Sequence, residues 1–247
     1  MVSIEISFLQ IAFRLNFRYL ILMQHYFEMK SLARGPKYEW VFIAVMVVIV
    51  FLLYTKTLNG AFIFDDRNNI RDNPHIRLTQ ITLPGIYSAV HDSPTPNRPL
   101  ANISFALNYY FHGYNVVGFH AVNIIIHIFN GMLLYLFLKA TLATPVIQSK
   151  AHKYGWVPYF TAVIWLMHPI QTQSVSYIVQ RMNSMAAMFY ILSMLLYATG
   201  RSGENRNKRI LLFSGAAVSG MLALGSKEIA ATLPFFIFLY EWFFFRI

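Results

Sequence analysis

The chain of 247 residues contains no cysteine. That excludes a disulfide framework, a cysteine-ligated zinc site and a thiol nucleophile. Charge is also scarce: only 12% of residues are Asp, Glu, Lys or Arg, about half the share of an ordinary soluble domain. No repeat of 20 to 50 residues is visible and no low-complexity tract, which leaves no signature of a solenoid or a linker. A small-residue cleavage site is missing after the apolar first 28 residues, and Gln10, Arg14, Asn16 and Arg18 interrupt them. They match neither a secretory signal nor an ordinary span.

What is present is apolar. Hydrophobic residues make up 57% of the chain, the mean hydropathy is +0.48, and the apolar residues come in blocks. Blocks of this kind predict an all-α, polytopic membrane protein. Apolar content places about six transmembrane helices at 38–55, 118–138, 155–168, 182–199, 209–225 and 230–245. Some are short of the roughly 20 residues that cross a bilayer upright, and these read as helices buried within a bundle.

The net charge of +10 invites a nucleic-acid reading, but its distribution argues for a membrane and against nucleic acid as partner. With residue 37 cytoplasmic, the cytoplasmic segments hold 13 Lys or Arg and five acids, and the far side holds seven and five. The positive-inside rule then puts the N-terminus in the cytoplasm and Asp65 and Asp66 outside. Residues 1–37 form a cytoplasmic or interfacial segment. Either they begin as an amphipathic helix on the membrane surface, or the translated protein starts at Met29, whose following residues are an ordinary basic lead-in. Residues 38–247 form the membrane domain. It stops directly after an apolar block, and so is expected to be the front end of something longer.

The long outside loop, 56–118, carries prolines at 74, 84, 94, 96 and 99 and two expected surface helices, at 78–90 and 100–111. Loops of this length are commonly functional. Its first feature is Asp65-Asp66, placed behind the aromatic Phe62 and Phe64. Adjacent carboxylates repel and raise each other's proton affinity, which suits a general base; pairing with Arg67 or Arg71 is the plainer explanation. A second constellation runs from His168 to Arg181 and includes Gln171, Thr172, Gln173, Ser174, Ser176, Tyr177 and Gln180. Many neutral donors with one guanidinium suit a sugar or a phosphate ester. The third is Ser226-Lys227-Glu228, which together with Arg181 and Arg98 offers a cationic clamp. The block after Gly118 carries His120, Asn123, His127 and Asn130 on one helical face. Such a stripe reads as interhelical glue, with His120 at the outer end.

Taken together and in order, these motifs resemble one family. They are Phe64-Asp65-Asp66, Arg98-Pro99, Gly118-Phe119-His120-Ala121-Val122-Asn123 with His127, His168-Pro169 through Arg181, Ser226-Lys227-Glu228, Pro234 and Tyr240-Glu241. The family is the transmembrane and tetratricopeptide-repeat protein O-mannosyltransferases and their bacterial relatives, and the resemblance runs from about residue 39 to 241. It implies part of the C-type glycosyltransferase membrane fold. It further implies a sugar, mannose, carried on a polyprenyl or dolichyl phosphate, with a protein Ser or Thr hydroxyl as acceptor. The partners are thus a membrane lipid-linked donor and an acceptor protein; the donor is a substrate and no cofactor is called for, while no metal ligand is assigned and metal dependence stays open.

By the same resemblance Asp65 or Asp66 is the catalytic base. Arg98, His120, His168, Gln171, Gln173, Arg181, Lys227 and Glu228 are the donor-binding residues. The active face is extracytoplasmic in a bacterial inner membrane, or luminal in the endoplasmic reticulum of a eukaryote. Two departures stand out: the tetratricopeptide module and later spans are absent from these residues, and Gln173 stands where many relatives carry an acid. The alternatives in other classes are a non-catalytic membrane fragment or scaffold, and a transporter using His120 and His127 as a proton path.

Overall fold

Residues 36–246 are described by a computed structural model; the expectations for the segment before residue 36 lie outside it. Helix α1 (Pro36–Tyr54) opens on a proline and carries charge only at Lys37 and Glu39, so nothing interrupts its apolar run. A 3-10 turn, Thr55–Asn59, continues it. Two shorter helices follow in the connection to the next long one. In α2 (Leu83–His91) the Thr82 hydroxyl accepts from the Gly85 amide and Pro84 sits in the first turn, an ordinary N-terminal cap. In α3 (Pro99–His112) proline again starts the helix, and Gly113 ends it with φ +56°, a conformation costly to a residue with a Cβ.

The Asn115 side chain caps α4 (Val116–Leu142), whose 27 residues extend about 40 Å at 1.5 Å per residue. Next come α5 (Val157–Met167), the six-residue α6 (Gln171–Ser176), α7 (Arg181–Ser202), α8 (Arg206–Leu224) and α9 (Leu233–Phe244). Helices thus cover all six apolar blocks, with α4 longer than expected and the first loop helix starting later, at Leu83. Three stretches, Tyr38–Asn59, Val116–Leu142 and Ile178–Ser202, are long and apolar enough to cross a membrane, and Val157–Met167 is a shorter apolar helix. Among the described residues there is no β-strand. The described residues form an all-α membrane protein.

Helix α4 is the centre of the bundle, packed on α1, α5 and α7, while α7 pairs along its length with α8. Met46, Val50 and Tyr54 of α1 meet Ile124, Tyr135, Ala162 and Leu166 in one buried cluster. At the α4–α5 crossing a Cβ on Gly131 would lie 2.5 Å from Leu166. The two backbones approach so closely only because that position has no side chain. Large apolar side chains stay exposed on the outer faces, Val41, Val48 and Leu52 on α1 and Phe235, Phe238 and Trp242 on α9. Apolar faces of this kind mark contact with lipid or with further protein.

The polar stripe of α4 is buried and spends its hydrogen bonds on backbone carbonyls of neighbouring segments. His120 Nε2 donates to Gly60 (3.2 Å), Asn123 to Val175 and Ile178 (3.3 and 3.2 Å), His127 Nε2 to Leu166 (3.1 Å) and Asn130 to Ser184 (2.9 Å). The Gly60 carbonyl lies in a loop and those of Val175 and Leu166 in the last turns of their helices, where no intrahelical donor exists; Ile178 and Ser184 lie at the start of the helical segments that follow. These ties fix the connections between α5 and α7 to the central helix.

Long-range ties also gather the connections at two ends. Glu39 pairs with Lys139 and Arg201 with Glu241 at one end. At the other, Asp66 bonds Val179, Asn97 and Arg98 bond Glu228, and the Leu100 amide donates to Gly225 (2.9 Å). The segments 60–115, 168–180 and 225–232 therefore meet at one end of the bundle.

Candidate active site

The turn that carries the acid pair is strained and anchored. Phe64 has φ +43°, the only positive φ outside glycine among the described residues. A bulky side chain rarely adopts that conformation, and such strain is held only where surrounding contacts over-determine it. Here the contacts are visible. The exposed Phe64 ring meets Tyr177 edge to face at 6.2 Å, and the Asp65 amide donates to the Tyr177 hydroxyl at 2.9 Å. The Asn69 amide group donates to the Asp65 carbonyl at 3.0 Å.

The kinked backbone gives the two neighbours opposite environments. Asp66 is fully buried, and its two oxygens accept from the Ile63 amide (3.1 Å) and the Val179 amide (2.7 Å). Burial pushes its carboxyl above the usual aspartate range, against the lowering by these amide donors. This is an internal cap that ties the loop to the start of α7. Asp65 is exposed, and its carboxylate neighbours the Tyr177 hydroxyl. Burial, more than these acids, raises the Tyr177 phenol, which therefore stays protonated as a donor. Neither aspartate forms an ion pair with Arg67 or Arg71 among the described residues.

Arg181 corrects an expectation. Its guanidinium has no exposed surface and does not reach outward as a phosphate clamp. Nε donates to Asn123 Oδ1 (2.8 Å), Nη2 to Asn108 Oδ1 (2.7 Å) and the Phe119 carbonyl (2.9 Å), and Nη1 to the Ser104 carbonyl (3.3 Å). Phe105 and Phe119 flank it, with ring centroids 4.8 and 5.6 Å away. A buried charge is tolerated when it is well hydrogen-bonded, and with four of its five N–H donors engaged Arg181 pins α3, α4 and α7 together.

Arg98 is not a free cation either. Its guanidinium pairs with Glu228 at 3.2 Å, and Asn97 donates to the same carboxylate. Lys227 differs. It is half-buried and its ammonium has no hydrogen bond or ion pair among the described residues. Burial and then the Arg98 charge push it below the usual lysine range. A backbone amide hydrogen bond and, after it, the Arg98 pairing hold Glu228 below the usual glutamate range. Lys227 is thus the cation of this group left open to an anion.

The remaining expected residues separate. His168 and Gln173 are exposed, and His168 Nδ1 accepts from the Ile170 amide. His120 is buried against Gly60 and holds the loop without facing solvent. Gln171 lines a cavity of about 550 Å³ with His127, Asn130, Ser174, Asn183 and Tyr190. The Oδ1 of Asn130 in that wall is buried and has no partner. The cavity is bounded by the helix before Tyr177 and by residues that follow Lys227 and Glu228. Tyr177 and Asn97 were passed over as single residues in the sequence. Tyr177 lay within the polar constellation, while Asn97 gave no signal before its partner Glu228 was placed beside it. Among the described residues no three His, Asp or Glu side chains gather as metal ligands.

Comparison with known proteins points the same way as the motifs. The chain is 32% identical over 154 residues to Protein O-mannosyl-transferase TMTC1 of Homo sapiens, covering 59% of this chain and 16% of that protein. It is 27% identical over 169 residues to Protein O-mannosyl-transferase TMTC4 of Homo sapiens, 64% of this chain and 23% of that protein. To Protein O-mannosyl-transferase Tmtc3 of Drosophila melanogaster it is 27% identical over 222 residues, 82% of this chain and 24% of that protein. The chain spans 16% to 24% of the length of these curated relatives. They bear out the family resemblance carried by the motifs. No family model matches the chain, and no solved structure matches it significantly.

Proposed function

We propose that these residues form the membrane-embedded catalytic part of an O-mannosyltransferase. It moves mannose from a polyprenyl or dolichyl phosphate to a protein Ser or Thr hydroxyl at the extracytoplasmic or luminal face. In this reading the six apolar blocks all cross the bilayer, and the end that gathers Asp65, Tyr177 and Lys227 faces away from the cytoplasm. The observation that carries the proposal is the division within the acid pair. Asp66 anchors the turn, and Asp65 is left as an exposed carboxylate on a rigid, strained support. The names of the relatives supply the reaction class.

The chemistry then follows from charge. Asp65 accepts the proton of the acceptor hydroxyl as its oxygen attacks the anomeric carbon, and the bond to the phosphate oxygen breaks with its electron pair left on phosphate. Lys227 offsets the charge that develops on this leaving group. The neutral amides and hydroxyls lining the cavity beneath α6 suit sugar hydroxyls, with the unpartnered Asn130 oxygen as one acceptor. Because His127 and His120 already donate to backbone carbonyls, they do not favour a proton path for transport.

Steady-state transfer from polyprenyl-phosphate mannose to a Ser/Thr peptide tests the assignment of Lys227. Since its charge is lost at lower pH than that of an ordinary lysine, donor KM is expected to rise early on the alkaline side. Lys227→Ala is expected to raise donor KM about tenfold, the loss of one charge-assisted contact, and to flatten that pH dependence. An unchanged KM and pH profile would remove Lys227 from the donor site.

A further inference from the structure

Three basic residues of the first loop take no part in this site. Arg67, Arg71 and Arg77 open onto a separate cleft of about 720 Å³, whose walls are completed by Asn59, Gly60, Phe62, Tyr114 and Val116. Arg67 and Arg71 stand at the two ends of one π-helical turn, Arg67–Arg71. Arg77 is held toward them: its Nη2 donates to the Arg71 carbonyl (3.3 Å) and its guanidinium lies 5.8 Å from the Tyr114 ring centroid. The Tyr114 hydroxyl donates to the same carbonyl at 2.8 Å.

None of the three guanidiniums has an ion pair among the described residues, and the side chains of Arg67 and Arg71 make no hydrogen bond there. Asp72 is the one carboxylate in the lining, so the cleft keeps a surplus of positive charge. Like charges gathered without partners repel, and an anion relieves the repulsion. The position of the cleft narrows the choice of anion. Its wall includes Asn59, the last residue of the first candidate span, and Val116, the first residue of the second. The cleft therefore opens at the boundary between hydrocarbon and water, where lipid headgroups lie. Guanidinium forks match the oxygens of a phosphate group.

We propose that this cleft binds the phosphate of an anionic membrane lipid. It shares no lining residue with the cavity beneath α6, and the proposal stands apart from the transfer reaction. The lipid would hold the first loop against the membrane and fix the turn on which Asp65 sits, since Arg67 follows the acid pair directly.

Native mass spectrometry of the full chain in detergent, with phosphatidic acid, phosphatidylcholine or inorganic phosphate added, tests this. The expected result is that phosphatidic acid is retained about tenfold over phosphatidylcholine, a ratio set by one strong charge-assisted contact. The double substitution Arg67→Gln with Arg71→Gln is expected to abolish the preference while leaving the helical circular dichroism unchanged, because these side chains support no other contact. Phosphatidic acid displaced completely by equimolar inorganic phosphate would mark a free-phosphate site and overturn the lipid assignment. Equal retention of both lipids, or an undiminished preference in the double variant, would overturn the site itself. Should the double variant lose its helical signal, Arg67→Gln alone is measured, with the same expectation of a weakened preference and the same contradiction if it persists.

Discussion

At the scale of the residue, the site depends on two adjacent aspartates doing different work. Substituting Asp66→Ala leaves the Ile63 amide and the buried Val179 amide without an acceptor, and an orphaned buried donor costs about 1–3 kcal/mol. Asp65→Ala removes no such support. Amide hydrogen exchange at Val179 is therefore expected to accelerate strongly in Asp66→Ala and to stay near normal in Asp65→Ala; equal protection in both would contradict the anchoring role. The sequence pointed to the pair, since two carboxylates beside aromatics at a membrane boundary stand out in so uncharged a chain. It did not separate them, because the separation comes from the left-handed turn at Phe64 and from a bond to Val179, 113 residues further on. Arg181 was misread for the same reason. A lone arginine in a polar segment looks like a surface cation until Asn108 and Asn123 are brought around it.

At the scale of the element, helices were the most legible part of the chain. Apolar runs in a nearly uncharged sequence leave few alternatives, and α4 and α7 fall where the composition placed them. Boundaries moved where capping decided them. The first loop helix begins at Leu83 because Thr82 caps it and Pro84 opens its first turn, while the apolar residue Leu78 is buried before the helix starts. The stripe on α4 was legible as a face through its 3.6-residue period. What its members touch was not, since carbonyls of other segments carry no mark in sequence. Gly131 is a similar case: its significance is the close approach of Leu166 on α5, which spacing along α4 does not disclose.

At the scale of the whole molecule, one end of the bundle collects the loop with Asp65, the α6 segment and Lys227, and the other end collects Lys139, Arg201 and Glu241. Absence of cysteine makes this arrangement easy to test. Asp92→Cys and Glu204→Cys each introduce a single thiol, and a membrane-impermeant maleimide applied to intact vesicles is expected to label one and not the other. Labelling of both from one side would refute the proposed layout. The proposed reaction rests on Asp65 as the group that takes the acceptor proton. The most direct measurement is the rate of mannose transfer from polyprenyl-phosphate mannose to a Ser/Thr peptide by Asp65→Asn, reconstituted in membranes alongside the unaltered protein. General base catalysis predicts a loss of about a hundredfold or more with thermal stability unchanged, whereas transfer by Asp65→Asn at the unaltered rate would contradict it.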